Sequence, residues 1–413
     1  MTAMPSWLAK WRGEANENAV QLGLPSSKQE AWKYTPLPAA WSVDKLRARL
    51  GTGFTQKFTT QIKNAITLDF VDGWYVKAHL PKLPAGVIVA PLSEALIQND
   101  ERVRTILGNS TPGKTRSLIA LNLAEFTDGI LIYVPHGVKL EQPIFMHSYG
   151  RADAITHLRV LVHLEADAEA TLVQHHTSDE NAITNIVHEF DIGPRAQMHH
   201  YRLQNDVATA THFTFTENQL GADSVIDHFS LTLGARLSRH EITTRLMGDG
   251  ATCHVNAAAL LGGTQHADFT SIIDHQCENG QSRQTVKNVL GGKSRGVFQG
   301  KIHVHPHAQK TDGYQMNQAL LLSPHAEIDA KPELEIYADD VKCSHGATVG
   351  QLDETAMFYL RSRGLPAELA RALLIEAFLA DAVNLISQEE IRDIFIAALQ
   401  HKQAEISDAA GQH

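Results

Sequence analysis

The sequence is poor in cysteine and lacks long apolar runs. Its three cysteines are odd in number and far apart, which is a poor basis for disulfides and favours a reducing compartment. The longest apolar runs, such as residues 129–135, fall far short of the roughly 20 residues that a membrane-spanning helix needs. The first residues have no apolar core typical of a secretory signal. We therefore expect a cytoplasmic protein without membrane spans, in which Cys253 and Cys277 are core thiols.

Basic charge is also scarce. The 413 residues include 36 Lys and Arg against 46 Asp and Glu, which gives a formal net charge of −10. Nucleic-acid binding without sequence preference needs clustered basic residues that displace counterions, so we expect no nucleic-acid partner. The length predicts two or three structural units.

Short β-branched segments dominate the middle of the chain and predict many strands. Small turns recur between them, with alanines at 222, 235, 251 and 267. Asn279-Gly280 is the only Asn-Gly pair, so the sequence contains few signals for tight hairpins. Recurrent turns favour a solenoid, here a parallel β-helix, whose coils bury their apolar faces by stacking. A β-sandwich, with turns every ~8–12 residues, is the competing interpretation.

Helical patterns flank this region. Residues 1–60 contain Ser27-x-x-Glu30, a capping box. After Gly350, Asp353 can begin a helix and Gly364 can end it. Ser387-x-x-Glu390 is a second capping box, and the apolar surface of these last helices favours partner docking. We predict an N-terminal helical or mixed domain at 1–125, a β-helix core at 126–352 and a C-terminal helical domain at 353–413.

Three motifs suggest chemistry but have simpler explanations. His303, His305 and His307 alternate and could share a face as metal ligands, although structural histidines are the favoured reading. Residues 287–296 resemble the end of a phosphate-binding loop, but they lack its first glycine and a following helix. Glu333 and Glu335 could serve a polysaccharide-cleaving β-helix, whereas a solvated acidic strand is the simpler interpretation.

Cys343 and His345 form the remaining candidate pair. At positions i and i+2 of an extended segment their side chains point the same way. Thiolate and imidazole both suit iron, but two ligands cannot hold an iron–sulfur cluster alone. By itself the pair is a weak signal, and a structural thiol is the alternative.

The sequence around Cys343 and His345 favours a functional pair over a structural thiol. Residues 296–350, which include "KIHVHPHAQKTDGYQMNQALLLSPHAEIDAKPELEIYADDVKCSHGATVG", are followed by "FYLRSRGL" and preceded far upstream by "KQEAWKYTPL". These stretches closely resemble the SufB/SufD family of the SUF iron–sulfur cluster assembly system, most densely over residues 286–364. SufB-type members carry a glutamate directly after the histidine. Gly346 stands there in this chain, so it is more similar to the SufD type.

The resemblance implies a right-handed parallel β-helix with helical domains at both ends. It implies a non-enzymatic scaffold, without catalytic residues or a tightly bound cofactor, that pairs with SufB and docks the SufC ATPase on its C-terminal helices. Alone, such a chain could form a homodimer. In the family, the positions matching Cys343 and His345 lie near SufB and help to hold a transient cluster. A purely structural subunit with an inert cysteine and a carbohydrate-active β-helix remain the alternatives.

Overall fold

The computed structural model describes residues 5–53, 62, 64–98, 100–107 and 115–410, with side chains up to residue 406. Two sheets run side by side along the molecule. The ten-stranded sheet consists of β1 (Ile66–Val71), β2 (Trp74–His79), β5 (Ile144–Gly150), β7 (Glu169–Ser178), β9 (Gln197–Gln204), β11 (Val225–Thr232), β13 (Thr252–Leu261), β15 (Gln281–Leu290), β17 (Asp312–Leu321) and β19 (Lys342–Gly350). The nine-stranded sheet consists of β3 (Ile88–Pro91), β4 (Asp128–Val134), β6 (Ile155–Leu164), β8 (Ile183–Ile192), β10 (Thr211–Leu220), β12 (Leu237–Leu246), β14 (His266–His275), β16 (Arg295–Val304) and β18 (Glu327–Ile336).

The chain alternates between the two sheets, so each coil contains one strand of each. Neighbouring coils pair in parallel: Thr211 of β10 lies opposite Ile183 of β8 and Leu237 of β12. The parallel β-helix prediction is confirmed, and the β-sandwich is wrong because every pairing from β4 to β19 is parallel. The predicted small turns occur once per strand, and therefore twice per coil.

Alternate residues of each strand point between the sheets and form the core. In the first coils this interior is aliphatic and aromatic, and its largest cluster includes Phe70, Ile132, Val160 and Phe190. Each coil stacks on its two neighbours, so the neighbouring coils cover these side chains above and below. A single coil could not bury them. The apolar alternation in the sequence thus specifies the stack.

The N-terminal part covers the outer face of the nine-stranded sheet and contributes strands to both sheets. Its helices are α1 (Ser6–Leu22), α2 (Leu92–Ile97), α3 (Glu101–Ile106) and α4 (Ser117–Glu125), and β1 to β3 come from residues 66–91. Trp32 and Leu118 pack on Phe213 and Phe215 of β10. Residues 1–4 and 54–60 of the predicted helical segment lie outside the described residues.

Two predicted capping boxes do not form. The segment at Glu30–Trp32 is a single 3₁₀ turn without a side-chain cap, and Glu30 instead accepts a hydrogen bond from Lys331 Nζ at 2.6 Å. The Ser387 hydroxyl lies 3.1 Å from the Tyr201 hydroxyl. In both cases a tertiary partner outcompetes the local cap, since side-chain oxygens have limited hydrogen-bonding capacity.

The C-terminal helices are α5 (Glu354–Ser362), α6 (Ala367–Val383) and α7 (Glu389–Ala410). Asp353 Oδ1 accepts from the amides of Thr355 and Ala356, and Gly364 has a φ of 91°, as the sequence predicts for the start and end of α5. Helices α6 and α7 pack on the outer face of the ten-stranded sheet through residues such as Leu379 and Phe395. Across the described residues, none of the helices combines the length and apolar character needed to cross a bilayer.

Candidate functional site

The predicted pair lies on β19, the last strand of the ten-stranded sheet, which pairs with β17 alone among the described strands. Cys343 lies opposite Gly313 and His345 lies opposite Gln315. Gln315 is fully buried between the sheets, so Cys343 and His345 belong to the interior-facing row of the terminal coil. The structure therefore brings both side chains to the open end of the stack.

Cys343 is half-buried in a small apolar pocket. It packs against a cluster that contains Ile302, Val304 and Ala338. A Cβ atom at Gly313 would lie only 3.3 Å from the Cys343 sulfur, so glycine leaves room for the thiol. Burial raises the pKa of Cys343, although a hydrogen bond from the Gly313 amide opposes this. The thiol is thus mainly protonated at neutral pH, which lowers its reactivity towards oxidants.

His345 has a different environment because its side chain is exposed to solvent. The ladder row that begins at His345 continues through Gln315 to Gln284, both fully buried. Imidazole at the mouth of a polar row can accept a proton or bind a metal ion from outside. Cys343 and His345 therefore combine a shielded thiol with an accessible imidazole.

Within the described part of the chain, Cys343 and His345 have no third ligand close to them. Among residues 5–53, 62, 64–98, 100–107 and 115–406, the one trio of His, Cys, Asp or Glu donors within 4.8 Å of one another is Asp274, His303 and His305. An iron–sulfur cluster needs about four protein ligands. The described residues therefore supply only two of the ligands that a cluster at this position would need.

Gly346 faces the opposite way from Cys343 and His345. It pairs with Met316 of β17 on the outer face, where an added Cβ would lie 2.7 Å from the Met316 methyl group. A glutamate there would displace the flexible end of Met316 and would point away from Cys343. The position at which the sequence analysis expects a glutamate in SufB-type chains therefore lies on the outer face of β19.

The interior also contains histidines that sequence reasoning missed. Six consecutive strands, β7 to β12, each contribute one fully buried histidine: His176, His188, His200, His212, His228 and His240. Their positions are 12 residues apart except for one interval of 16, a periodicity that the sequence displays. Rings of successive coils touch, and their nitrogens bond across coils.

These histidines are held neutral. Burial is the main cause that lowers the pKa of His228, to about 3, and the Arg202 guanidinium lowers it further. Burial also lowers the pKa of His188 and His200 well below the usual value. Since His228 Nδ1 and His200 Nδ1 lie 3.0 Å apart, one must donate to the other. The middle of the stack thus adds a row of hydrogen-bonded polar side chains to the apolar core, which continues through Ile226, Ile242 and Val255.

The other sequence candidates fall in separate places. The apparent phosphate loop is a turn between β15 and β16, as expected, with strands on both sides. Lys301 lowers the pKa of Glu335, whereas a general acid for glycoside cleavage needs a raised pKa. Cys253 is fully buried, as predicted for a core thiol. The same prediction is wrong for Cys277, which lies in a partly exposed turn with its thiol 2.9 Å from the Met247 carbonyl oxygen.

Helix α5 and the start of α6 expose a second surface. No residue of α5 is buried, and Phe358 is 75% exposed. Tyr359, Leu369 and Leu373 are also exposed. Contiguous exposed aromatic and aliphatic side chains are typical of a protein-binding surface.

Comparison with known proteins agrees with this architecture. Residues 146–378 match the family described as SUF system FeS cluster assembly, SufBD core domain, and residues 2–146 match the SufBD protein N-terminal region. The chain belongs to the SufB/SufD family. This family serves iron–sulfur cluster assembly, so the resemblance seen in the sequence is confirmed.

Curated relatives in the SufB/SufD family span nearly the whole chain. The iron–sulfur cluster assembly protein SufD of Escherichia coli (strain K12) is 31% identical over 393 residues, covering 93% of this chain and 90% of that protein. A SufBD family protein of Synechocystis is 31% identical over 383 residues, covering 88% and 84%. SufD of Bacillus subtilis (strain 168) is 27% identical over 415 residues, covering 96% and 94%.

Proposed function

We propose that this chain is a SufD-type scaffold that pairs end to end with a SufB-type chain and contributes Cys343 and His345 as ligands to a nascent iron–sulfur cluster. The observation that carries the proposal is the terminal coil. It presents a thiol and an imidazole on its interior face, at an uncovered end, without a third ligand among the described residues.

The terminal strands supply the docking surface. β18 and β19 stand at the ends of their sheets, so no described strand pairs with one edge of each. Such edges pair readily with strands of another chain. Interior-facing Ile336 and Val349 are 37% and 54% exposed, and a further coil stacked on them would remove this apolar surface from water. A SufB-type chain with its own open coil fits this end.

The partner completes the ligand set. Cys343 and His345 supply one sulfur and one nitrogen donor, and the SufB-type chain supplies the remainder, including a cysteine. Because burial raises the pKa of Cys343, the thiol stays protonated until iron binds and displaces its proton. This arrangement protects the free thiol and still allows it to become a ligand when the cluster arrives as substrate.

The C-terminal domain, which we place at 353–413, docks the SufC ATPase. The exposed side chains of Phe358, Tyr359, Leu369 and Leu373 form its contact surface. Helices α6 and α7 pack on the ten-stranded sheet that ends in β19, so strain from ATPase closure reaches the paired end through that sheet. In this proposal the partner ATPase carries out the nucleotide chemistry. The incomplete phosphate-binding motif at residues 287–296 is consistent with that.

Cluster reconstitution on the purified three-protein complex tests the ligand role. We expect Cys343→Ala and His345→Ala to assemble with both partners but to lose most of the iron and sulfide incorporated. Cys277→Ala is the matched control, since this half-buried thiol lies in a turn before β15 and should leave the yield unchanged. Full yield from both test variants would show an inert cysteine and leave a purely structural role.

Pull-down separates the remaining alternatives. A scaffold binds the SufB-type chain and the ATPase, whereas a carbohydrate-active β-helix cleaves polysaccharide alone. Sedimentation of the isolated chain checks whether it forms a homodimer through the same end. Addition of the SufB-type chain should then dissociate that dimer, because both use β18 and β19.

A further inference from the structure

A second cluster of ligand-type side chains lies on the outer face of the nine-stranded sheet. Asp274 Oδ1 is 2.6 Å from His303 Nδ1 and 3.0 Å from His305 Nε2. All three donor atoms lie within 4.8 Å of one another. A metal ion with bonds of ~2.1 Å holds neighbouring ligands roughly 3 to 3.5 Å apart, so small adjustments suffice for a shared ion.

The coil stack creates this cluster. Asp274 of β14 and His303 of β16 are ladder partners in consecutive coils. His305 follows two residues after His303, just beyond the end of β16, and keeps the same side of the chain. A rigid parallel ladder therefore fixes two ligands, and the strand end supplies the third.

Neighbouring groups orient the ligands. Gln276 Nε2 donates to Asp274 Oδ2 at 2.6 Å and leaves Oδ1 facing the two imidazoles. The rings of His303 and Tyr337 have centroids 5.7 Å apart, which restricts the imidazole. Burial alone would raise the pKa of Asp274, but the Gln276 amide and His303 outweigh it and lower the pKa. Outer-shell contacts of this kind are typical of metal sites.

Simple His–Asp ladder pairs occur elsewhere and provide a comparison. His163 bonds Asp191 alone, and Asp227 lies between His199 and His254 with one imidazole on each oxygen. Those contacts need only a hydrogen bond. Only the cluster at Asp274 brings two imidazoles to the same carboxylate oxygen with three donors within 4.8 Å, as judged over the described residues.

We propose that Asp274, His303 and His305 bind a divalent first-row transition-metal ion. Two imidazoles and one carboxylate are borderline and hard donors that suit Fe²⁺, Co²⁺, Ni²⁺ or Zn²⁺, whereas Ca²⁺ and Mg²⁺ prefer all-oxygen sites. The three ligands are partly exposed, at 18 to 32% of their side-chain surface, so an ion can reach them and retain water in its open positions. This site is independent of Cys343 and of the proposed scaffold role.

Cobalt titration of the full chain, purified without a histidine tag, tests the proposal. Calorimetry and visible absorption should give one specific Co²⁺ per chain, with nitrogen and oxygen ligation and no thiolate charge-transfer band. Asp274→Asn and His303→Gln should each weaken Co²⁺ binding at least ~10-fold. Zn²⁺, and Fe²⁺ under anaerobic conditions, should compete for the same site.

His254→Gln is the matched control, because it removes one imidazole from the comparable His–Asp–His contact on the other sheet. It should leave the Co²⁺ affinity unchanged. Circular dichroism confirms that each variant is folded, and His305→Gln offers a second test at a turn position. Absence of a specific Co²⁺ site in the parent chain, or equal affinity in Asp274→Asn, His303→Gln and the parent, would overturn the proposal.

Discussion

The two ends of the coil stack differ. At the N-terminal end, the sheets finish in antiparallel strands, β2 against β1 and β3 against β4, and Tyr75 and Leu83 pack against the interior core. At the C-terminal end, β18 and β19 continue the parallel pattern and then stop. The chain thus closes one end with its own residues and leaves the other with the geometry of a further coil. The C-terminal end also contains Cys343 and His345, the two ligands that we propose.

The largest effect should come from a charge placed at the uncovered end. Ala347 faces inward on β19 and is exposed, so Ala347→Lys would bury an unpaired ammonium group on pairing. We expect affinity for the SufB-type chain to fall by about 3 kcal/mol or more, roughly 100-fold in Kd. Calorimetric titration measures this.

Val76→Lys on β2 provides the control at the closed end, where Val76 is already 57% exposed. It should bind the partner as the parent does. Equal weakening by both substitutions would contradict the assignment of the uncovered end as the interface.

Substitutions at the closed end should lower the free energy of unfolding more than substitutions at the uncovered end. Tyr75 is partly buried against the core, with its ring 6.1 Å from that of Phe70. Tyr75→Ala should cost about 1 to 3 kcal/mol of unfolding free energy, less than a fully buried aromatic. Ile336→Ala, at the uncovered end, should cost at most about 1 kcal/mol in the monomer. Denaturant unfolding of both variants compares the two ends, and an inverted order would count against this picture.

A pH-dependent effect distinguishes the buried histidines in the middle of the stack from both ends. The pKa of His228 is about 3 when folded, below the ordinary value of about 6.5 when unfolded, so the unfolded state binds more protons between these values. Stability is therefore complete above about pH 6.5 and falls as the pH drops towards 3, by about 1.4 kcal/mol per pH unit for this group. Denaturant unfolding of His228→Gln should show a shallower pH slope.

Ile226→Val, in the same strand, is the matched control because it lowers stability without removing a titrating group. Its pH slope should equal that of the parent chain. A slope unchanged by His228→Gln would mean that this histidine is not held neutral by the fold.

Local pattern was sufficient to predict the main architecture. Alternating apolar residues and recurrent small turns led to the parallel stack, and Asp353 and Gly364 gave the bounds of α5. The same-face placement of Cys343 and His345 followed from strand periodicity, whereas their link with iron came from resemblance to the family. Strand periodicity and helix ends could be predicted because they depend on residues that are close together in the sequence.

Contacts between residues of different coils could not be predicted from the sequence. Asp274 precedes His303 by one full coil, so the carboxylate that completes the histidine cluster appears only once the register is known. Ser387 bonds Tyr201 across the helix–sheet contact instead of capping α7. The buried histidines looked unremarkable singly, although their spacing carried the signal.

Hydrogen exchange of the β19 amides, Lys342–Gly350, tests the central claim most directly. The chain should be measured alone, at a concentration where sedimentation shows a monomer, and then in complex with the SufB-type chain. We predict that exchange along β19 slows strongly in the complex while exchange along β2 stays the same. A complex that forms with β19 still exchanging at its monomer rate would contradict the account.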